Sequence, residues 1–354
     1  MKKQKTVFVG LSGGVDSSVA ALHLINEGYN VVGVFIKVWH PDFMVCNWEA
    51  ERLDAMRVAA HLGIPFLTCD AEAEYRDEVA KYFISQYEKG LTPNPDVMCN
   101  QHVKFGKFLR FALEKGADYI ATGHYVQRKD ASSKKAEMHR GIDQNKDQSY
   151  FLWSLTQDQL DRALFPVGNI KKEQVRKEAV AAGLPTAIKK DSQGICFLGH
   201  IDIPDFLSHY IKLIPGHVLN ETGEVIGEHK GSLVYTIGQR HGFTITTSET
   251  DRQALFVSSK DIANNTITVS SQTPLVHEQE HIILKEVVLR NKLTSEDKVE
   301  VQFRYRQKPI QAVVRARDNQ ELQITILEQS DKPASGQSCV LYRGSHCLGG
   351  GIIQ

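Results

Sequence analysis

The chain has 354 residues, with 42 Lys+Arg against 42 Asp+Glu, so it is long enough for two or three domains and carries no global charge announcing a nucleic-acid or membrane partner. No stretch approaches the ~20 apolar residues of a membrane span, and the start MKKQKTVFVGLSGG has too short an apolar run for an export signal, so a cytoplasmic protein without a membrane partner is expected. The six cysteines, Cys46, Cys69, Cys99, Cys196, Cys339 and Cys347, are scattered, and no C-x-x-C pair occurs, which argues for reduced thiols and against a cysteine-based zinc site.

In chain order, TVFVGL, NVVGVFIKV, PFLTCD and DYIATGHY read as short strands separated by helical stretches. The first helical stretch, SSVAALHLINEGYN, places Val19, Leu22 and Ile25 at helical spacing and stops at Gly28. Strands alternating with helices predict a parallel sheet covered on both faces, with ligands beyond the carboxyl ends of its strands. The polar stretch 128–149 reads as a loop or exposed hairpin, and SLTQDQLDRALF and KKEQVRKEAVAAG read as helices, the second closed by Gly183 and Pro185. From about 217 the texture changes to short strands with glycine turns, and after Pro274 a second β run is spaced like an antiparallel barrel or sandwich. The expected division is an α/β catalytic domain over 1–205, a small β-rich central domain over 206–275 and a C-terminal β-barrel over 276–354.

The segment GLSGGVDSS, residues 10–18, lies directly behind the first strand. Backbone N–H groups of a glycine-rich turn that opens a helix converge on one point, and the helix dipole adds positive potential there, so the natural guest is phosphate. No lysine follows the glycines as in G-x-x-x-x-G-K-[ST], and G-x-G-x-x-G is not matched. The plain alternative is a strand-to-helix turn with a Ser or Asp N-cap. Against it stands Asp16, a carboxylate that a phosphate nest would repel unless a cation such as Mg²⁺ joined the two.

With Ser12, Gly13, Gly14, Asp16, Ser17 and Ser18 in these positions, the loop resembles the pyrophosphate (PP) loop of the N-type ATP pyrophosphatases, which adenylate a substrate oxygen. TPNPDVMCN (92–100), GADYIATGHY (116–125), NKDQSYFL (145–152), LFPVG (164–168), KDSQGICFLG (190–199), YTIGQR (235–240), RYRQ (304–307) and CLGGGII (347–353) extend the likeness across nearly the whole chain. Together they resemble the tRNA-specific 2-thiouridylase family. The resemblance implies an adenine-nucleotide α-hydrolase-like domain followed by the two β domains, and tRNA-uridine 2-sulfurtransferase activity on the wobble uridine of the tRNAs for Lys, Glu and Gln. It also implies ATP and Mg²⁺ as cofactors, the tRNA anticodon loop as partner, and a persulfide donor, either a cysteine desulfurase or a relay protein. For the nucleotide it implies Gly10, Leu11, Ser12, Gly13, Gly14, Val15, Asp16 and Ser17, with Ile36 on the adenine side and Gly123 at the end of the fourth strand.

Replacing a carbonyl oxygen by sulfur requires a better leaving group and a sulfur nucleophile, which AMP transfer and a cysteine persulfide respectively supply. Cys99 opens a helical pattern whose Phe105, Phe108, Leu109 and Ala112 form one apolar stripe, and a thiol in the first turn of a helix has its thiolate favoured by the dipole. Asp96 lies three residues earlier, within reach of a proton transfer. Without the resemblance, a small buried residue at Cys99 and an N-cap at Asp96 are the better explanations. The resemblance makes Cys196, in SQGICFLG, the persulfide carrier and Cys99 its partner, ending in a Cys99 to Cys196 disulfide.

For tRNA the resemblance implies Asn94, Pro95 and Asp96 at the target base, with His124, Lys146, Asp147, Gln148, Arg304, Tyr305 and Gln337 as further contacts. Arg304 and Tyr305, beside Phe303 and Arg306, mix stacking and phosphate-pairing groups, and their plain alternative is an ordinary barrel strand. Lys171, Lys172, Arg176, Lys177, Lys189 and Lys190 form a local basic cluster, though helical charge is most often solvated surface. Residues 37–55 depart from the family pattern, carrying His40, Phe43 and Met44, so Cys46 receives no role. Two rival readings keep part of the argument: an amidating ligase of the GMP synthetase or argininosuccinate synthetase kind, which has no use for two distant cysteines, and an RNA-binding module with a vestigial nucleotide loop.

Overall fold

A computed structural model describes residues 4–44, 48–131, 135–190, 199, 201–246, 254–294, 296–317 and 320–354. The first part is a parallel sheet of five strands in the order β3-β2-β1-β4-β7, with β1 Thr6–Gly10, β2 Asn30–Lys37, β3 Phe66–Asp70, β4 Tyr119–Ala121 and β7 Ala163–Leu164. Alternation along β1 and β2 sends Val7, Val9, Val31 and Phe35 into a core with Leu24, Ala55 and Val58 of the helices Val15–Asn26 (α1) and Trp48–Leu62 (α2). Their alternates Phe8, Val32, Val34 and Ile36 enter a second core with Val97, Cys99, Val103, Phe105 and Phe108. The period of two thus covers both faces, as a parallel sheet requires. α1 ends where expected, at Gly28 in the left-handed region, and Gly183 closes Lys172–Ala181 in the same way.

The short β7 departs from expectation. SLTQDQLDRALF is helical only over Gln157–Asp161, after which Ala163–Leu164 pairs with Ile120 and Ala121 as the sheet edge. Thr156 supplies a full capping box with Gln159, a start signal strong enough to make the segment read as one helix, while burial of Ala163 stops it.

Residues 126–140 form the hairpin β5 Val126–Asp130 and β6 Ala136–Arg140, which is not an exposed one: Ala136 and Met138 are buried. It extends the C-terminal sheet through a pairing of His139 with His346. The central unit is a five-stranded sheet in the order Phe243–Ile245, Val225–His229, Gly216–Leu219, Thr266–Ser270 and Phe256–Asp261. In the last part, six strands run in the order β14 His281–Leu289, β17 Leu322–Ile326, β16 Ile310–Ala316, β15 Asp297–Gln302, β19 Ser338–Arg343 and β20 His346–Ile353, and a β14 to β20 pairing closes them. The choice between barrel and sandwich is therefore settled as a barrel. No helix among the described residues is long and apolar enough to cross a membrane.

Candidate active site

The glycine-rich loop leaves the carboxyl end of β1 and opens α1 at Val15, with Gly14 as N-cap and no side chain capping the first turn. The alternative of a Ser or Asp N-cap is thus not realised. Instead the serines brace the loop: Ser17 Oγ donates to the Gly14 carbonyl at 3.0 Å and accepts from Ser12 N–H at 3.3 Å, and Ser18 Oγ donates to Gly14 at 2.8 Å. Helix-opening amides left without a side-chain cap form an anion cradle. Gly13 has φ of 70°, and a Cβ there would lie 2.6 Å from the Glu51 carbonyl of α2, so only glycine fits.

Gly123, at the carboxyl side of β4, reaches this loop as expected. A Cβ on it would stand 2.7 Å from Ser17 N and 2.8 Å from the Asp16 carbonyl carbon. Ile36 is buried at the end of β2, and its Cδ1 would contact a side chain at Gly10 at 3.7 Å. Leu11 and Val15 are buried beneath the loop, so they reach a ligand only through the backbone.

Asp16 is held by residues remote in sequence. The Lys172 ammonium lies 2.7 and 2.8 Å from its two carboxylate oxygens, and Tyr125 donates to it at 2.6 Å. Lys172 therefore does not belong to a surface basic patch. Its neighbours are engaged too: Lys189 pairs with Asp54 at 2.7 Å and Lys177 with Glu173 at 2.6 Å, while Arg176 donates to the Ala187 carbonyl at 2.9 Å. The Lys189 hydrogen bond holds the Asp54 carboxyl below its usual range, whereas burial pushes the nearby Glu51 carboxyl up. Lys172 and Tyr125 are the site residues that motif reading passes over; Tyr125 adjoins His124 in a quoted segment, but nothing local marks Lys172.

The second cluster surrounds the TPNPD segment. Asn94 caps the helical turn Pro95–Met98, its Oδ1 accepting from Asp96 N–H at 3.1 Å and Val97 N–H at 3.3 Å. Asp96 is thus not the N-cap. Cys99 lies one residue past that turn and has 0% exposure, so the expected first-turn position is corrected: here the dipole effect is weaker. The helix widens to i→i+5 bonding over Cys99–Lys107 before Phe108–Glu114. Phe105, Phe108, Leu109 and Ala112 are buried along it as the stripe predicts. Cys196 and Cys46 lie outside the described residues.

His124 is buried between Phe105 and Phe165, with Nδ1 2.8 Å from Thr122 Oγ1. Burial drives its imidazole well below its ordinary value, which keeps it neutral. Asp147 is buried as well, accepting from Gly141 N–H, Ser149 N–H and Ser149 Oγ and pairing with Arg140 at 3.2 Å. Gln148 accepts from Tyr125 N–H at 3.0 Å. Lys146 is half-buried on the adjacent turn.

Arg304 and Tyr305 do not lie in a barrel strand but in the turn between β15 Asp297–Gln302 and β16 Ile310–Ala316. Arg304 donates to the Ile237 carbonyl of YTIGQR at 3.0 Å and to Lys332 at 3.1 Å. Tyr305 packs on Phe151 with ring centroids 4.6 Å apart. Gln337 accepts from Ala334 N–H at 3.0 Å. Nearby, Thr92 N–H donates to the Ser335 carbonyl at 2.9 Å and Thr92 Oγ1 lies 3.0 Å from Thr236 Oγ1. Thr92, at the start of the TPNPD segment, therefore touches both the central unit and the barrel.

A phosphate-type loop at the carboxyl edge of a parallel sheet, followed by two β units, defines a PP-loop nucleotide-binding α/β protein with β-barrel appendages. Family profiles described as tRNA methyl transferase HUP domain, tRNA methyl transferase PRC-barrel domain and aminomethyltransferase beta-barrel domain match residues 5–200, 204–271 and 279–353. The chain is 44% identical to the tRNA-specific 2-thiouridylase MnmA of Proteus mirabilis, over 99% of its own length and 97% of the relative's. It is 43% identical, over the same shares, to the proteins of that name from Shigella boydii and Escherichia coli K12. The chain belongs to the tRNA-specific 2-thiouridylase family.

Proposed function

We propose that this protein is an ATP-dependent tRNA sulfurtransferase that replaces the C2 oxygen of the wobble uridine with sulfur in the tRNAs for Lys, Glu and Gln. The single observation that carries the nucleotide half is the helix-opening loop at Gly13–Gly14, uncapped by any side chain and closed over by Gly123. The tRNA half rests on family membership. Uridine O2 attacks the α-phosphate of ATP, pyrophosphate leaves, and the base carries AMP on that oxygen. The terminal sulfur of a Cys196 persulfide then attacks C2 and AMP departs. Cys99 thiolate attacks the Cys196 sulfur, releasing 2-thiouridine and leaving a disulfide that an external thiol must reduce before the next turnover. In the alternative order Cys99 attacks first and hydrosulfide is the nucleophile.

The chain's own groups have separate tasks in this scheme. The loop amides bind the polyphosphate and Ile36 packs on the adenine side. Asp96, beside the Asn94 cap, orients the base or moves its proton. Both Asp16 carboxylate oxygens are engaged by the Lys172 ammonium, so Asp16 could ligate Mg²⁺ only if Lys172 gave way; Mg²⁺, when bound, would supply charge neutralisation of the polyphosphate. Cys99, wholly buried, needs a local opening to meet substrate. Sulfur comes from a desulfurase or a relay protein. The test is incubation with unmodified tRNA, ATP, Mg²⁺ and a cysteine desulfurase with cysteine, followed by nucleoside mass spectrometry. 2-Thiouridine confined to the wobble position, with AMP formation dependent on tRNA, is expected. No thiolated nucleoside, or AMP formation indifferent to tRNA, overturns the reading.

A further inference from the structure

Far from the loop, the junction between the β5–β6 hairpin and strand β20 (His346–Ile353) gathers three metal-ligating side chains. Glu137, His139 and His346 each present one ligand atom, all within 4.8 Å of one another. The two imidazoles stack with centroids 4.9 Å apart and an interplanar angle of 21°. His139 Nε2 lies 3.2 Å from Glu137 Oε2 and its Nδ1 lies 3.0 Å from Ser345 Oγ. Donation from Nδ1–H to Ser345 aims Nε2 at the carboxylate and at His346, and this kind of outer hydrogen bond is what fixes the tautomer of a metal-bound histidine. Glu137 and His346 also line a cavity of about 60 Å³, room for a solvent molecule as a further ligand.

We propose that Glu137, His139 and His346 form a site for a borderline transition-metal ion of the Zn²⁺ type that fastens the hairpin of the catalytic part to the terminal barrel. Two imidazoles and one carboxylate with an open position match the donor preferences of Zn²⁺, Co²⁺ and Ni²⁺, while Ca²⁺ and Mg²⁺ require more oxygens. Arg290, which lines the same cavity, is turned onto the carbonyls of Trp153, Leu155 and Cys347. Its charge and that of Lys135, on the same wall, oppose any cation, so affinity has to come from the bonds to the three ligands. No spacing motif announces the site, because its ligands come from opposite halves of the chain.

The test is a Co²⁺ titration of the full-length protein, stripped with a chelator and kept reduced. About one ion per chain is expected, with visible d–d absorption of low coordination number and no thiolate charge-transfer band, and with Zn²⁺ in competition. His346→Gln and His139→Gln should each weaken binding by about 10- to 100-fold, and Ser345→Ala, which leaves every ligand in place, by about 10-fold. Circular dichroism on each variant shows whether it has folded; if a histidine variant has not, Ser345→Ala carries the test. No binding by the wild type, a thiolate band, or affinity unchanged in the folded variants overturns the proposal.

Discussion

The phosphate loop and the family's RNA-contact set were both named from motifs, yet their residues are used differently. In the loop, Ser12, Gly14 and Ser17 bond to one another, and the amides at the start of α1 have no side-chain cap. In the RNA set, Asp147, Gln148, Arg304 and Gln337 spend their polar atoms on internal partners. Most of these bonds stay within one part of the chain, and that of Arg304 to Ile237 joins the barrel to the central unit, so the residues brace the structure, whatever atoms they also offer to a ligand. A motif whose function lies in backbone geometry declares itself locally. A motif of dispersed polar side chains can mark a binding surface or the scaffold beneath it.

The largest effect that sharpens this contrast is at Cys99. Cys99→Ser is expected to reduce thiolation by about 10³-fold or more while tRNA-dependent AMP formation stops after a single turnover, measured by nucleoside mass spectrometry and by pyrophosphate release. On the loop side, Gly123→Ala must displace Ser17 and Asp16, costing about 2 kcal/mol of stability and about 100-fold in ATP affinity, measured by denaturation and calorimetry. Lys172→Ala should lower kcat/KM for ATP by about 10-fold with little change in melting temperature.

On the other side of the contrast, Asp147→Ala should cost about 3 kcal/mol of stability because it strands Arg140 and three donors. The salt slope of tRNA binding should not move. Lys146→Ala should do the reverse, leaving stability unchanged and reducing the slope by about 1. If Asp147→Ala proves stable and weakens tRNA binding alone, the scaffold reading of the set fails.

The smallest predicted effect is in pH. His124, buried and neutral, has a folded pKa below the unfolded value, so the unfolded chain takes up a proton first as pH falls. Stability is full above about 6.5, the ordinary imidazole value, and declines below it by at most ~1.4 kcal/mol per pH unit. His102 and His229 are pushed in the same direction by burial. Melting curves from neutral to mildly acidic pH should show the decline, and His124→Gln should flatten it.

Much of the architecture is legible in the sequence because its signals are short-range. β1 to β4, α1 and its glycine stop, the stripe Phe105, Phe108, Leu109 and Ala112, and the change to β texture all follow from residue periods. The local signals failed where a distant partner decided the outcome. Leu164 became a strand because β4 offered an edge, and Arg304 turned inward because the Ile237 carbonyl of the central unit lies against it.

The sequence by itself determined the phosphate loop, the alternating buried strands and the membership of the chain in its family, since each depends on neighbours within a few residues or on whole-chain likeness. Only the tertiary structure decided that Lys172 and Tyr125 hold Asp16, that Cys99 is sealed in the core, and that the hairpin 126–140 joins the terminal barrel. Those contacts form between segments far apart in the chain, where packing and desolvation, rather than local propensity, select the partner.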